Sequence, residues 1–288
     1  MGQSLMSSTP SLSYLGDLVR QYDRDRFLTT LFVPPRIRNR LYTLYAFNSE
    51  IARIREAVSE PLIGQIRLQW WRDVLSDLEE GKAPPKGHPV AEPLADLIED
   101  SSLSIPLFKR LLEARKQDLE DAPIETLSGL REYCRSTSST LSVLALECLG
   151  VRDVASKEAA EAVGLAWALT GILRTVRHLA LAGKTMLPAQ LLSKSGLSIQ
   201  ELRSPDSIER LRPVIQTVAH EARNSIDAAR CVSGMVNHQA LPVLLPATLS
   251  SHYLRDMERK QYDIFHRSLK RQRPAIVRLC WSAWRKIY

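Results

Sequence analysis

Apolar and polar residues interleave along most of the chain, in long stretches rich in Leu, Ala, Arg and Glu. Such residues lose little side-chain freedom in a helix, so the stretches predict helices. The breaks fall at proline and glycine. Val33-Pro-Pro35 precedes a predicted helix from about Arg36 to Val58. Proline suits a first helical position, where its missing N–H costs nothing. Pro61 marks the next break, and a helix follows over 63–78. Residues 81–89 hold three prolines and two glycines and read as a loop. Further helices are expected from Ser13 past Arg20 and over 93–99, 105–120, 127–149, 156–181, 207–232, 241–259 and 274–286. The reading is all-α: residues 1–12 a flexible N-terminus, 13–262 one helical domain, and 263–288 a basic, aromatic C-terminal helix.

Composition adds three points. A chain of 288 residues, 44% hydrophobic and 25% charged, matches an ordinary soluble globular protein with a sizeable core. No run reaches the roughly 18 apolar residues of a spanning helix; the nearest is 164–173. The cysteines Cys134, Cys148, Cys231 and Cys280 form no C-x-x-C pair, which points to free thiols in a reducing compartment.

The net charge of +7 is uneven. Asp263 is the last acidic residue, and Arg267, Lys270, Arg271, Arg273, Arg278, Arg285 and Lys286 follow it. Trp281, Trp284, Tyr288, Ile276, Leu279 and Ile287 share that segment. The combination suits an anionic membrane surface contacted through 264–288. The plainer reading is a solvated basic face with the tryptophans docked on the domain. No nucleic-acid module is recognisable and the charge sits at one end, so no nucleic acid is expected as a partner.

Four segments, in order, resemble the squalene/phytoene synthase family. They are Phe32-Val-Pro-Pro-Arg36 with Arg40-Leu-Tyr-Thr-Leu-Tyr-Ala-Phe47; Leu68-Gln-Trp-Trp-Arg72; Tyr133-Cys-Arg-Ser-Thr137; and Gly164-Leu-Ala-Trp-Ala-Leu-Thr-Gly-Ile-Leu-Arg174 with Gly183-Lys-Thr-Met-Leu-Pro188. The resemblance implies an isoprenoid-synthase-like helical bundle around a central cavity. It also implies the chemistry of joining two prenyl diphosphates, in which magnesium held by two D-x-x-x-D motifs neutralises the leaving group.

Here the expected carboxylates are mostly missing. Aligned on Tyr45-Ala-Phe47, the first motif falls at 52–56 and begins Ala52-Arg53, with Glu56 at its trailing position. The second falls at 175–179 and reads Thr175-Val-Arg-His-Leu179, and the family's upstream Gln and Asn are replaced by Ala168 and Gly171. No Asp or Glu occurs from Ala162 to Gln200, so no register shift restores one. Catalytic residues and a bound metal are therefore not expected, and magnesium enters only if the chain is a prenyltransferase after all.

The candidates that remain are Arg53, Arg174, Arg177 and His178 as contacts for an anion or diphosphate, because guanidinium binds phosphate through paired N–H groups. Glu56 and Glu60 are residual carboxylates, and Tyr45, Trp70 and Tyr133 are candidate cavity lining. The alternative for the arginines is pairing with acidic residues such as Glu56 or Asp118.

Ala46-Phe-Asn48, Val58-Ser-Glu60, Asp263-Ile-Phe-His266 and the terminal Ser282-Ala-Trp-Arg-Lys286 resemble the family's non-catalytic branch, the complex I assembly factors and their bacterial relatives. That branch implies respiratory complex I subunits or assembly proteins as partners. The first basic residue is Arg20 and no presequence is recognisable. The expected location is the bacterial cytoplasm, peripheral to the inner membrane; the alternative is the matrix side of the mitochondrial inner membrane. The competing functions are a working prenyltransferase and an isoprenoid- or lipid-binding module without chemistry.

Overall fold

The computed structural model describes residues 13–120, 122–266 and 275–288. The flexible stretch expected at 1–12, and Arg267, Lys270, Arg271 and Arg273, lie outside those residues. The described chain is helical, with α1 (Tyr14–Tyr22), α2 (Arg24–Thr30), α3 (Pro35–Ala52), α4 (Pro61–Glu79), α5 (Ala91–Ser101), α6 (Ile105–Ala114), α7 (Leu127–Cys134), α8 (Thr140–Cys148), α9 (Val154–Leu181), α10 (Ala189–Lys194), α11 (Ile208–Cys231), α12 (Leu241–Leu244), α13 (Pro246–Arg259) and α14 (Ile276–Arg285). No strand occurs among the described residues.

Helix α9 is the axis, and α8, α11 and α13 pack around it. Asp153 starts it: its carboxylate accepts from the Ser156 N–H at 2.8 Å, satisfying one of the orphan donors of the first turn. By length and composition α9 could cross a membrane, but most of its apolar stretch is buried inside the fold, so it reads as the core helix. In the same core, Phe47 of α3 meets Trp71 of α4 and Phe108 of α6 edge to face, with ring centroids 4.9 and 5.4 Å apart.

The expected helix over 127–149 is interrupted. Residues Arg135–Ser139 form a π-helical turn between α7 and α8. Gly164 on α9 allows this turn to lie directly on it. A Cβ there would fall 2.5 Å from the Ser139 Cα and 2.7 Å from the Ser138 carbonyl oxygen. Ser139 also donates its hydroxyl to the Glu161 carbonyl at 2.6 Å.

Other boundaries differ from the sequence reading. α3 stops at Ala52 rather than Val58, and Arg53 to Ala57 follow as a turn closed on the Arg53 carbonyl. The stretch 105–120 splits into α6 and a 3-10 turn, Arg115–Leu119. Helices α2 and α10 were not anticipated. The segment 263–288 is not one helix: residues 263–266 lie in turns, and α14 covers only Ile276–Arg285, ending where Lys286 takes a left-handed φ of 55°. Leu279 anchors α14 against Leu245, Leu249 and Tyr253. The terminal Tyr288 donates its hydroxyl to the Ala229 carbonyl at 2.9 Å, and its own carbonyl accepts from Arg230 Nε at 2.8 Å.

Candidate functional site

A cavity of about 730 Å³ opens between the end of α3, the 3-10 turn after α6, α7 and the second half of α9. Ala52, Arg53 and Glu56 line one wall, and Gly171, Thr175, His178 and Leu179 line another. The two stretches where the family resemblance places its acidic motifs therefore do meet across one cavity. On α9 the lining positions recur every three or four residues, as one helix face requires.

Arg174 and Arg177 occupy other faces of α9 and do not line the cavity. Arg174 donates from Nη1 to the Asp25 carboxylate at 3.0 Å, and its guanidinium lies 3.9 Å from the Tyr253 ring centroid. Arg177 donates to the Phe265 carbonyl at 3.4 Å. Both are corrected to structural contacts, because adjacent residues on a helix do not share a face. Arg53 stays at the cavity, with its guanidinium 3.6 Å from the Tyr22 ring centroid and its Nε 3.9 Å from Glu56 Oε2. Glu60 is exposed at the start of α4 and does not line the cavity.

Of the three aromatic candidates, only Tyr133 lines the cavity. Tyr45 is buried in the main core, where burial pushes its phenol up in pKa. Trp70 packs beside His88, ring centroids 4.8 Å apart, and lines no part of the cavity.

Sequence reasoning missed the cavity's charged wall. Arg115 donates to Asp118 Oδ2 at 3.1 Å and to the Tyr133 hydroxyl at 3.0 Å. That hydroxyl in turn donates to the other oxygen of Asp118, and burial pushes its pKa up. Arg26, also on the lining, pairs with Asp23 at 2.7 Å and reaches Ser138 at 3.2 Å. Short spacing was the available signal, since both ion pairs join residues three apart on one turn.

The sequence profile described as squalene/phytoene synthase matches residues 19–285. This chain belongs to the squalene/phytoene synthase family. Among its relatives, the rat "NADH dehydrogenase (ubiquinone) complex I, assembly factor 6" is 29% identical over 96% of this chain and 82% of its own length. Tomato phytoene synthase 1 is 23% identical, over 87% of this chain and 62% of its own. A crystal structure of a dehydrosqualene synthase with ligand superposes at a TM-score of 0.82, with 20% identity and 94% coverage of both chains. The fold is thus the all-α isoprenoid-synthase type.

The family's magnesium chemistry finds a poor donor set here. Magnesium demands several oxygen ligands in near-octahedral array. No group of three or more His, Cys, Asp or Glu side chains suited to a metal occurs among the described residues. Asp23 and Asp118 face the cavity already engaged with Arg26 and Arg115, Glu56 faces Arg53, and Glu120 accepts from the Gln117 side-chain amide at 2.9 Å. These residues do not fit a metal cage.

Proposed function

We propose that this chain acts in the assembly of respiratory complex I and performs no prenyl transfer. The observation that carries this reading is the pair of facing walls: where the family resemblance places acidic pairs, one wall presents Ala52 and Arg53 with only Glu56, and the other presents Thr175, His178 and Leu179 with no carboxylate. Losing one preorganised group that stabilises developing charge costs about 100-fold or more in rate, and the loss here extends over most of a cage. Relatives named as complex I assembly factors support the assembly role. Its site of action is the inner membrane, on the cytoplasmic face in a bacterium or the matrix face in a mitochondrion. No cofactor is required, and the partners are complex I subunits or other assembly proteins.

Deleting the gene from its host should lower the amount of assembled complex I and the NADH dehydrogenase activity of isolated membranes. Reintroducing the chain should restore both. A Glu56→Gln form, lacking the last carboxylate of the first motif, should restore them equally well. Unchanged complex I in the deletion strain would contradict the assembly role, and failure of Glu56→Gln alone would favour carboxylate chemistry.

A second reading rests on the cavity itself. Its volume of about 730 Å³ and its apolar Ile124, Ile172, Leu179, Met186 and Ile199 suit an isoprenoid or lipid tail held without chemistry.

A further inference from the structure

Helix α14 is apolar on two sides. Leu279 faces the domain. On the outer side Val277, Trp281 and Trp284 are 85%, 52% and 76% exposed. Their spacing of four and then three residues makes one continuous stripe. An exposed run of large apolar side chains is unusual on a soluble surface and marks an interaction site. Arg278 and Arg285, seven apart, flank it.

Beside the stripe, and lined in part by Val277 and Trp281, a groove of about 970 Å³ separates α14 from α13. Its walls carry Arg230, His252, Arg255 and Arg278, and among the described residues no acidic side chain lines it. Arg230 is engaged with the Tyr288 carbonyl and with Ser251. Arg255 and Arg278 are exposed, one on each side of the groove. The groups acting on His252 report the same field. Burial and the charges of Arg278 and Arg259 hold its imidazole below the usual range, against the opposing pull of Asp256.

We propose that this groove binds the phosphate of an anionic phospholipid between Arg255 and Arg278, while Val277, Trp281 and Trp284 enter the lipid layer around it. The assignment rests on the inner-membrane location proposed above. Guanidinium groups recognise phosphate oxygens with paired donors. Tryptophan sits at headgroup depth because its ring is apolar and its N–H is polar. The pairing of exposed cations with outward tryptophans favours a lipid over an acidic peptide, which would complement the charge and leave the tryptophans in water.

The test uses the whole protein and two kinds of probe. Flotation should show binding to vesicles of phosphatidylcholine with phosphatidylglycerol, weak binding to phosphatidylcholine alone, and weakening with added salt. An Arg255→Ala, Arg278→Ala double variant should bind the anionic vesicles roughly 25-fold less, at roughly fivefold per arginine near a charged surface. In solution, dihexanoyl phosphatidylglycerol below its micelle concentration should raise the titration midpoint of His252 seen by NMR. Inorganic phosphate at equal concentration should move it less.

Undiminished vesicle binding by a folded double variant would overturn the groove. If Trp281→Ala with Trp284→Ala then abolished that binding, the membrane location would survive without it. A His252 response to inorganic phosphate equal to the lipid response would make this a free-phosphate site and overturn the lipid assignment. Equal binding to neutral and anionic vesicles, or capture of an acidic peptide with no vesicle binding, would overturn it as well.

Discussion

Gly164→Ala should cost about 3 kcal/mol of stability, the upper part of the range for overpacking a close-fitted contact. The added methyl would meet the Ser139 Cα and the Ser138 carbonyl oxygen, which are backbone atoms of a π-helical turn and cannot swing aside like a side chain. Gly171→Ala, about two turns further along α9, should do the opposite. A Cβ at Gly171 meets nothing within 4 Å. Removing a helix glycine should therefore stabilise the protein by up to about 1 kcal/mol. Thermal melts of the two variants should move in opposite directions, with Gly164→Ala lower by roughly 6–12 °C. Equal shifts would mean that α9 does not rest on the 135–139 turn as described. The pair also separates core from cavity, because Gly171 faces the cavity and Gly164 faces backbone.

Arg174→Ala should act on folding rather than on ligand binding. Its guanidinium bridges Asp25 and the Tyr253 ring, and Asp25 accepts from the Tyr253 hydroxyl as well. The Asp25 side chain is only 12% exposed, so losing the arginine leaves a nearly buried charge with one neutral partner. Breaking a fully buried pair costs about 3–5 kcal/mol. Because Arg174 itself is 26% exposed, solvent screening reduces the expected loss to about 2 kcal/mol. Asp25→Asn in the Arg174→Ala background should recover part of it, since the uncompensated charge is then gone. A wild-type melt for Arg174→Ala together with weakened binding of a prenyl diphosphate would return this residue to the site.

The fold was legible because helix signals and the order of family segments agree. Pro35 occupies the first helical position expected of it, whereas Pro61, read as a break before a helix at 63, is itself the first residue of α4. What escaped was set by tertiary contact. The π-helical turn at 135–139 depends on Gly164, distant in sequence and adjacent in space. Helices α2 and α10 span seven and six residues, too few for a clear period. α3 ends at Ala52 in a turn that carries no glycine or proline to announce it.

At the cavity, alignment put residues 52–56 and 175–179 on facing walls, and representatives of both line it. Arg174 and Arg177 were misplaced because they neighbour that face in sequence while pointing about a quarter-turn or more away from it. Arg115, Asp118 and Tyr133 come together from a 3-10 turn and α7, and sequence spacing alone does not show such a junction. His178, expected as an anion contact, lines the cavity apart from the two arginines expected beside it.

The most direct test of a family member without prenyl-transfer chemistry is turnover. Purified, folded protein would be incubated with farnesyl or geranylgeranyl diphosphate, with and without magnesium, and extracts analysed for squalene, dehydrosqualene and phytoene. The facing walls of Ala52, Arg53, Thr175 and Leu179 predict no product under either condition. Product that appears only with magnesium would contradict the account and restore the chain to the synthases.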